Sequence, residues 1–117
     1  MGRTIISEDG CFEWDEEKNR RNLKKHGFSF DEILEVFDDP ALLEGYDRGH
    51  SQAEDRYYCI GCLNGIFCVI VFYAQRERTR IISARQADAQ EQERYNGYFE
   101  KIDTGTYTCD QKPPRYL

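Results

Sequence analysis

A chain of 117 residues with 39% hydrophobic residues, seven Phe, eight Tyr and one Trp is long enough for one core and too apolar to stay disordered. Its formal charge of −6 speaks at first against a nucleic-acid partner. No apolar run approaches the roughly 20 residues that span a bilayer, and the first ten residues lack an apolar signal core, so no membrane partner and a cytoplasmic setting are expected.

In chain order, Phe12-Glu13-Trp14 reads as a short strand, with Asp15 placed to cap a helix. Glu16 and Glu17 fill the first turn of that helix and Lys24, Lys25 and His26 the last, matching its dipole at both ends. Gly27 suits the left-handed residue that ends it. A second helix should follow at once. Ser29-x-x-Glu32 is a capping box, Phe28 and Ile33 make a hydrophobic staple, and Asp39-Pro40 is the stop.

Residues 41–46 are expected as a strand and 47–53 as a polar loop. Two apolar runs, 56–63 and 66–74, flank Asn64-Gly65, the strongest short hairpin signal. A two-residue loop would set Leu63 opposite Ile66, Gly61 opposite Cys68 and Cys59 opposite Ile70. The second run is apolar on both faces, so it belongs in the middle of a sheet covered on both sides. A turn at 75–78 leads to a strand at 79–84, then a charged helix at 86–102 with a mixed face of Ala87, Gln90, Arg94 and Tyr95. The order is β-α-α-β-β-β-β-α. It specifies an α+β fold: a small antiparallel sheet packed by two N-terminal helices and one C-terminal helix. One domain at 11–102 is expected, with an N-terminal extension at 1–10 and a flexible tail at 103–117.

The five cysteines are Cys11, Cys59, Cys62, Cys68 and Cys109; an odd count without a signal sequence argues against a disulfide framework. Cys59-x-x-Cys62 has the spacing of a redox or zinc motif. On a strand, however, a separation of three sends the thiols to opposite faces, and no second Cys/His pair follows. Core-filling cysteines are expected, with no metal and no cofactor.

Charge is unevenly spread. Residues 31–55 hold nine acids and one arginine, whereas 16–27 hold five bases against two acids and 76–85 four arginines against one glutamate. Two basic islands on an acidic body can form a phosphate-binding face, because local potential outweighs net charge. The second island contains Arg80-Ile81-Ile82-Ser83-Ala84-Arg85, a strand running with its arginines toward a helix start. Arginine forks beside helix N–H groups suit an anion, and pairing with nearby acids is the competing explanation. Alternation places Arg78 and Arg80 on one face and Arg85 on the other, so the two ends share a phosphate only if the strand bends before Arg85.

Several separated motifs, in order, are similar to the BrnT toxin family over about residues 12–98. They are Phe12-Glu13-Trp14-Asp15, Lys18, Asn22, Lys25-His26-Gly27, Phe30, Val36-Phe37-Asp38-Asp39-Pro40, Glu54-Asp55-Arg56, Ile60-Gly61, Arg80 to Arg85, and Arg94-Tyr95. The resemblance implies a RelE-like fold and a small bacterial ribonuclease toxin. It also implies a cognate antitoxin that neutralises the toxin, and a complex of the two that binds promoter DNA.

Metal-free RNA cleavage must activate a 2′-hydroxyl, stabilise the charge on the pentavalent phosphorus and protonate the leaving 5′-oxygen. Arg56, Arg80 and Arg85 suit phosphate clamping, since arginine does not act as a base. Lys25 and His26 complete the expected catalytic set, His26 being the group that titrates nearest neutrality. Glu54, Arg78 and Tyr95 are expected to contact RNA. A binding module that acts only as antitoxin partner and co-repressor is the alternative reading.

Overall fold

The computed structural model describes residues 2–102, and the expected tail at 103–117 lies outside them. The elements are β1 (Thr4–Ile6), β2 (Phe12–Asp15), α1 (Glu16–His26), a 3-10 helix at Glu32–Asp38, β3 (Leu43–Tyr46), a 3-10 turn at Arg48–His50, β4 (Arg56–Leu63), β5 (Phe67–Gln75), β6 (Thr79–Gln86) and α2 (Ala89–Ile102). Among the described residues the strands form one sheet in the order β1-β2-β6-β5-β4-β3.

The sheet is mixed, which corrects the expectation of an antiparallel one. β2 runs parallel to β6, with Phe12, Glu13 and Trp14 opposite Thr79, Arg80 and Ile81, and every other pairing is antiparallel. The expected extension at 1–10 is also partly built in. Thr4–Ile6 pairs with β2 as the edge strand.

α1 has the ends its sequence specifies. The Asp15 carboxylate accepts from the Lys18 N–H at 2.9 Å, which holds its pKa below the usual carboxylate value. Gly27 sits at φ +82°, and its N–H donates to the Leu23 carbonyl. The second helix is a 3-10 helix rather than an α-helix. Half of the capping box forms, since the Ser29 N–H donates to Glu32, while the Ser29 hydroxyl turns to Asp31.

The β4–β5 hairpin is displaced by one residue from the expected register: Leu63 faces Phe67, Gly61 faces Val69 and Cys59 faces Val71. Asn64 and Gly65 take the positive φ of the expected turn, at 57° and 70°, and the Ile66 N–H returns to the Leu63 carbonyl. Ile66 is left as a third loop residue, and Phe67 instead packs edge-on against Phe28. Odd residues of both strands therefore share one face.

That face carries the main core, in which Trp14, Phe28, Phe30, Ile33, Val36, Val69, Val71 and Ile81 are buried. A smaller cluster on the opposite face joins Ala41, Ile60, Cys68, Ile70, Ala87 and Tyr95. Cys59 and Cys68 are buried, one in each cluster. α2 covers only part of the second face. The rest, around Arg56, Tyr58, Phe72, Ser83 and Arg85, is half-exposed.

Candidate active site

The site begins with an irregularity in β6. Ile81 pairs with Tyr73 and Ser83 with Phe72, leaving Ile82 as an extra residue in the strand. Beyond it the alternation inverts. Arg80, opposite Ala74, and Arg85, opposite Ile70, then lie on the same face of the sheet, together with Ser83. The condition set by the sequence, a break before Arg85, is met by this bulge.

The backbone after the bulge is held by a side chain instead of a strand. β2 leaves the sheet at Asp15 to become α1, so β6 beyond Ile81 has no β2 neighbour. Asn22, buried on α1, takes that place. Its amide donates to the Ala84 carbonyl at 2.9 Å and accepts from the Ala84 N–H at 3.1 Å, while also donating to the Phe28 carbonyl. The helix thereby continues the ladder.

Two cavities meet at Ile82 and Ser83. One, of about 270 Å³, is lined by Lys18, Arg21, Asn22, Lys25 and His26. The other, of about 310 Å³, is lined by Asp47, His50, Arg56, Phe72 and Arg85. Together they make a trough over the edge of β6, with cations on both sides and Asp47 as its acid. His26 has its pKa lowered below the usual histidine value by partial burial, and then by the charges of Lys25 and Arg85. That coupling ties the two cavities together electrostatically.

Four of the expected residues, Lys25, His26, Arg56 and Arg85, thus converge. Arg56 has no ion-pair or hydrogen-bond partner for its guanidinium among the described residues. Arg85 is held by Glu91 through bonds of 2.8 and 2.9 Å and lies over the Phe72 ring at 5.6 Å. Its Nε has no hydrogen-bond partner among the described residues.

The other four expected residues are engaged elsewhere. Arg80 lies in one cross-sheet row with Arg56, Ala74 and Glu13, but Glu13 and Thr4 already bind its guanidinium, each at 3.1 Å. Arg78 donates to the Gly10 carbonyl. Glu54 forms a two-point pair with Arg76 at 2.7 and 3.1 Å, which lowers its pKa. Tyr95 is fully buried, and its hydroxyl donates to Asp39 at 2.7 Å. Burial leaves its ring no open face for a base, and Asp39, which also accepts from the N–H groups of Ala41 and Cys62, joins α2 to the sheet through it.

The titratable lining residues not singled out for the site from the sequence are Lys18, Arg21, Asp47 and His50. Lys18 and Arg21 are three apart on α1, and so share a helical face. His50 sits in a 3-10 turn with Nδ1 at 3.1 and 3.2 Å from the two Asp47 carboxylate oxygens. The Asp-x-x-His spacing was the available signal.

The helix that follows the site starts later than expected. Gln86 stays in β6, the Ala87 N–H donates to the Cys68 carbonyl, and α2 begins at Ala89. Asp88 and Glu91 cap it reciprocally, each accepting from the other's N–H at 2.8 Å. Glu91 therefore serves both the helix start and Arg85.

A family model described as ribonuclease toxin, BrnT, of type II toxin-antitoxin system matches residues 14–91. Among solved structures, the ribonuclease toxin BrnT of Brucella abortus is similar to this chain at 31% identity and a TM-score of 0.51, over 64% of this chain and 92% of that one. No curated protein matches. The match spans the whole of α1, the hairpin, the β6 bulge and the start of α2, so the chain belongs to the BrnT ribonuclease toxin family of type II toxin–antitoxin systems.

Proposed function

We propose that the trough at the β6 bulge cleaves RNA without a metal, and that this chain arrests translation until its antitoxin binds. The observation that carries this reading is the convergence of Lys18, Arg21, Lys25, Arg56 and Arg85 around two histidines in a chain of net charge −6. Cations gathered against the overall charge suit a polyanion. Arg56, unpaired among the described residues, offers its guanidinium fork to a phosphate, and Arg85, fixed by Glu91, offers Nε from a set direction. The half-exposed Phe72 lines the same cavity and backs the Arg85 guanidinium with its ring.

His26 is then the acid–base group on the α1 side. Its lowered pKa leaves the ring neutral near pH 7, the form that takes a proton from a 2′-hydroxyl. Lys25 beside it steers the backbone. Arg80, Arg78 and Glu54 act through structure: they join β6 to β2 and tie down the neighbouring turns.

The RelE-like label, a cytoplasmic setting and promoter binding through the toxin–antitoxin complex belong to the same reading, which rests here on family membership. Purified chain incubated with RNA in excess EDTA should cut it, and Arg56→Ala with Arg85→Ala should stop the cutting. A protein that binds its antitoxin but cuts no RNA would be the binding module instead.

A further inference from the structure

We propose that His50, oriented by Asp47, is the general acid of this reaction and protonates the leaving 5′-oxygen. The inference rests on the ribonuclease reading and deepens it by supplying the second proton-transfer group that cleavage requires. Three observations carry it. Nδ1 of His50 lies 3.1 and 3.2 Å from the two oxygens of Asp47, so the carboxylate fixes the ring and directs Nε2 outward. The Asp47 side chain is mostly buried, whereas 72% of the His50 side chain is exposed, so the pair is anchored at one end and open to substrate at the other. Finally, His50 lines the same cavity as Arg56 and Arg85, the two groups assigned to the phosphate.

The anchoring is built into the loop. The Asp47 N–H donates to the Arg56 carbonyl, the His50 N–H returns to the Asp47 carbonyl, and Ser51 bridges the loop to β4 through bonds with the Asp47 carbonyl and the Arg56 N–H. Asp47 and His50 thus keep their position relative to Arg56. A carboxylate on one ring nitrogen fixes the tautomer and balances imidazolium charge, as in hydrolytic triads.

His26 lines one of the two cavities that meet at Ile82 and Ser83, and His50 lines the other. The step balances without water. His26 takes the 2′-hydroxyl proton, the 2′-oxygen bonds to phosphorus, the bond from phosphorus to the 5′-oxygen breaks, and His50 gives that oxygen its proton. The products are a 2′,3′-cyclic phosphate and a 5′-hydroxyl. The charged groups around His50 are Asp47 on its own turn, Arg56 on β4 and Arg85 on β6. Those around His26 are Lys18, Arg21 and Lys25 on α1 and Arg85 on β6.

An RNA oligonucleotide with a sulfur in place of the 5′-bridging oxygen at the preferred cut tests the role, because a thiolate leaves without a proton. His50→Ala should slow cleavage of ordinary RNA about 10²–10⁴-fold and cut the sulfur-bridged RNA at nearly the wild-type rate. Asp47→Asn should show a smaller loss rescued in the same way, and His26→Ala should slow both substrates. Equal slowing of both by His50→Ala, or slowing of neither, would overturn the assignment while leaving the ribonuclease reading intact. Wild-type protein that cuts neither RNA would overturn both.

Discussion

At the scale of single residues, the two arginines assigned to the phosphate in the proposed reaction are distinguished by what holds them. Among the described residues Arg56 is unpaired, so Arg56→Ala should leave the melting temperature unchanged and reduce RNA cleavage about 10²–10³-fold, the usual loss of one preorganised donor. Arg85 is fixed by Glu91, and its loss should affect both stability and rate. His26 adds a pH dependence. Its pKa is lowered in the folded state, so the unfolded chain binds the proton more readily. Stability is then lost as pH falls below about 6.5, the ordinary histidine value. Thermal melts across that range should flatten in His26→Gln.

Residue type alone recommends Lys25, His26, Arg56 and Arg85 for phosphate and proton transfer, and the fold brings the four to the cavities that share Ile82 and Ser83. Tyr95 was misread for a physical reason. α2 has a mixed pattern, so its buried face cannot be read from periodicity, and the partner that buries Tyr95, Asp39, is 56 residues away. Tyr95→Phe should cost about 1–2 kcal/mol, the price of a buried carboxylate losing one donor, as read by denaturant unfolding.

At the scale of elements, the bulge at Ile82 decides where the arginines point, and nothing in Ile81-Ile82-Ser83 announces it. No Gly or Pro marks the place. The shift is stabilised from α1, where Asn22 supplies the bonds that β2 no longer makes. Asn22→Ala would orphan the buried Ala84 N–H and carbonyl, costing about 2–3 kcal/mol. RNA cleavage should fall with it, although we assign Asn22 no contact with substrate. Cleavage that stays at the wild-type rate in a folded Asn22→Ala protein would show that the bulge does not depend on this contact. The helix ends and the hairpin were readable because capping and turn chemistry act within a few residues. The register was not, because Phe67 is placed by Phe28, far away in sequence.

At the scale of the whole molecule, net charge was a poor guide and its distribution a better one. Lys18, Arg21 and Lys25 from 16–27 line one of the cavities that share Ile82 and Ser83, and Arg56 and Arg85 line the other, with Asp47 as the acid from 31–55 in that lining. RNA affinity should therefore weaken with salt by about 0.7 in log–log slope for each phosphate contacted. Arg56→Ala should reduce that slope by about one such step, and Arg80→Ala, already paired with Glu13, should leave it unchanged. Salt titrations of binding to a single-stranded RNA separate the two.

The most direct measurement is cleavage of a defined RNA by the purified chain in excess EDTA, with the products' ends identified, for wild type and Arg56→Ala. Cutting by the wild type to 2′,3′-cyclic phosphate and 5′-hydroxyl ends, largely lost in the folded variant, is the predicted result. Equal cutting by both proteins would contradict a catalytic trough at the β6 bulge.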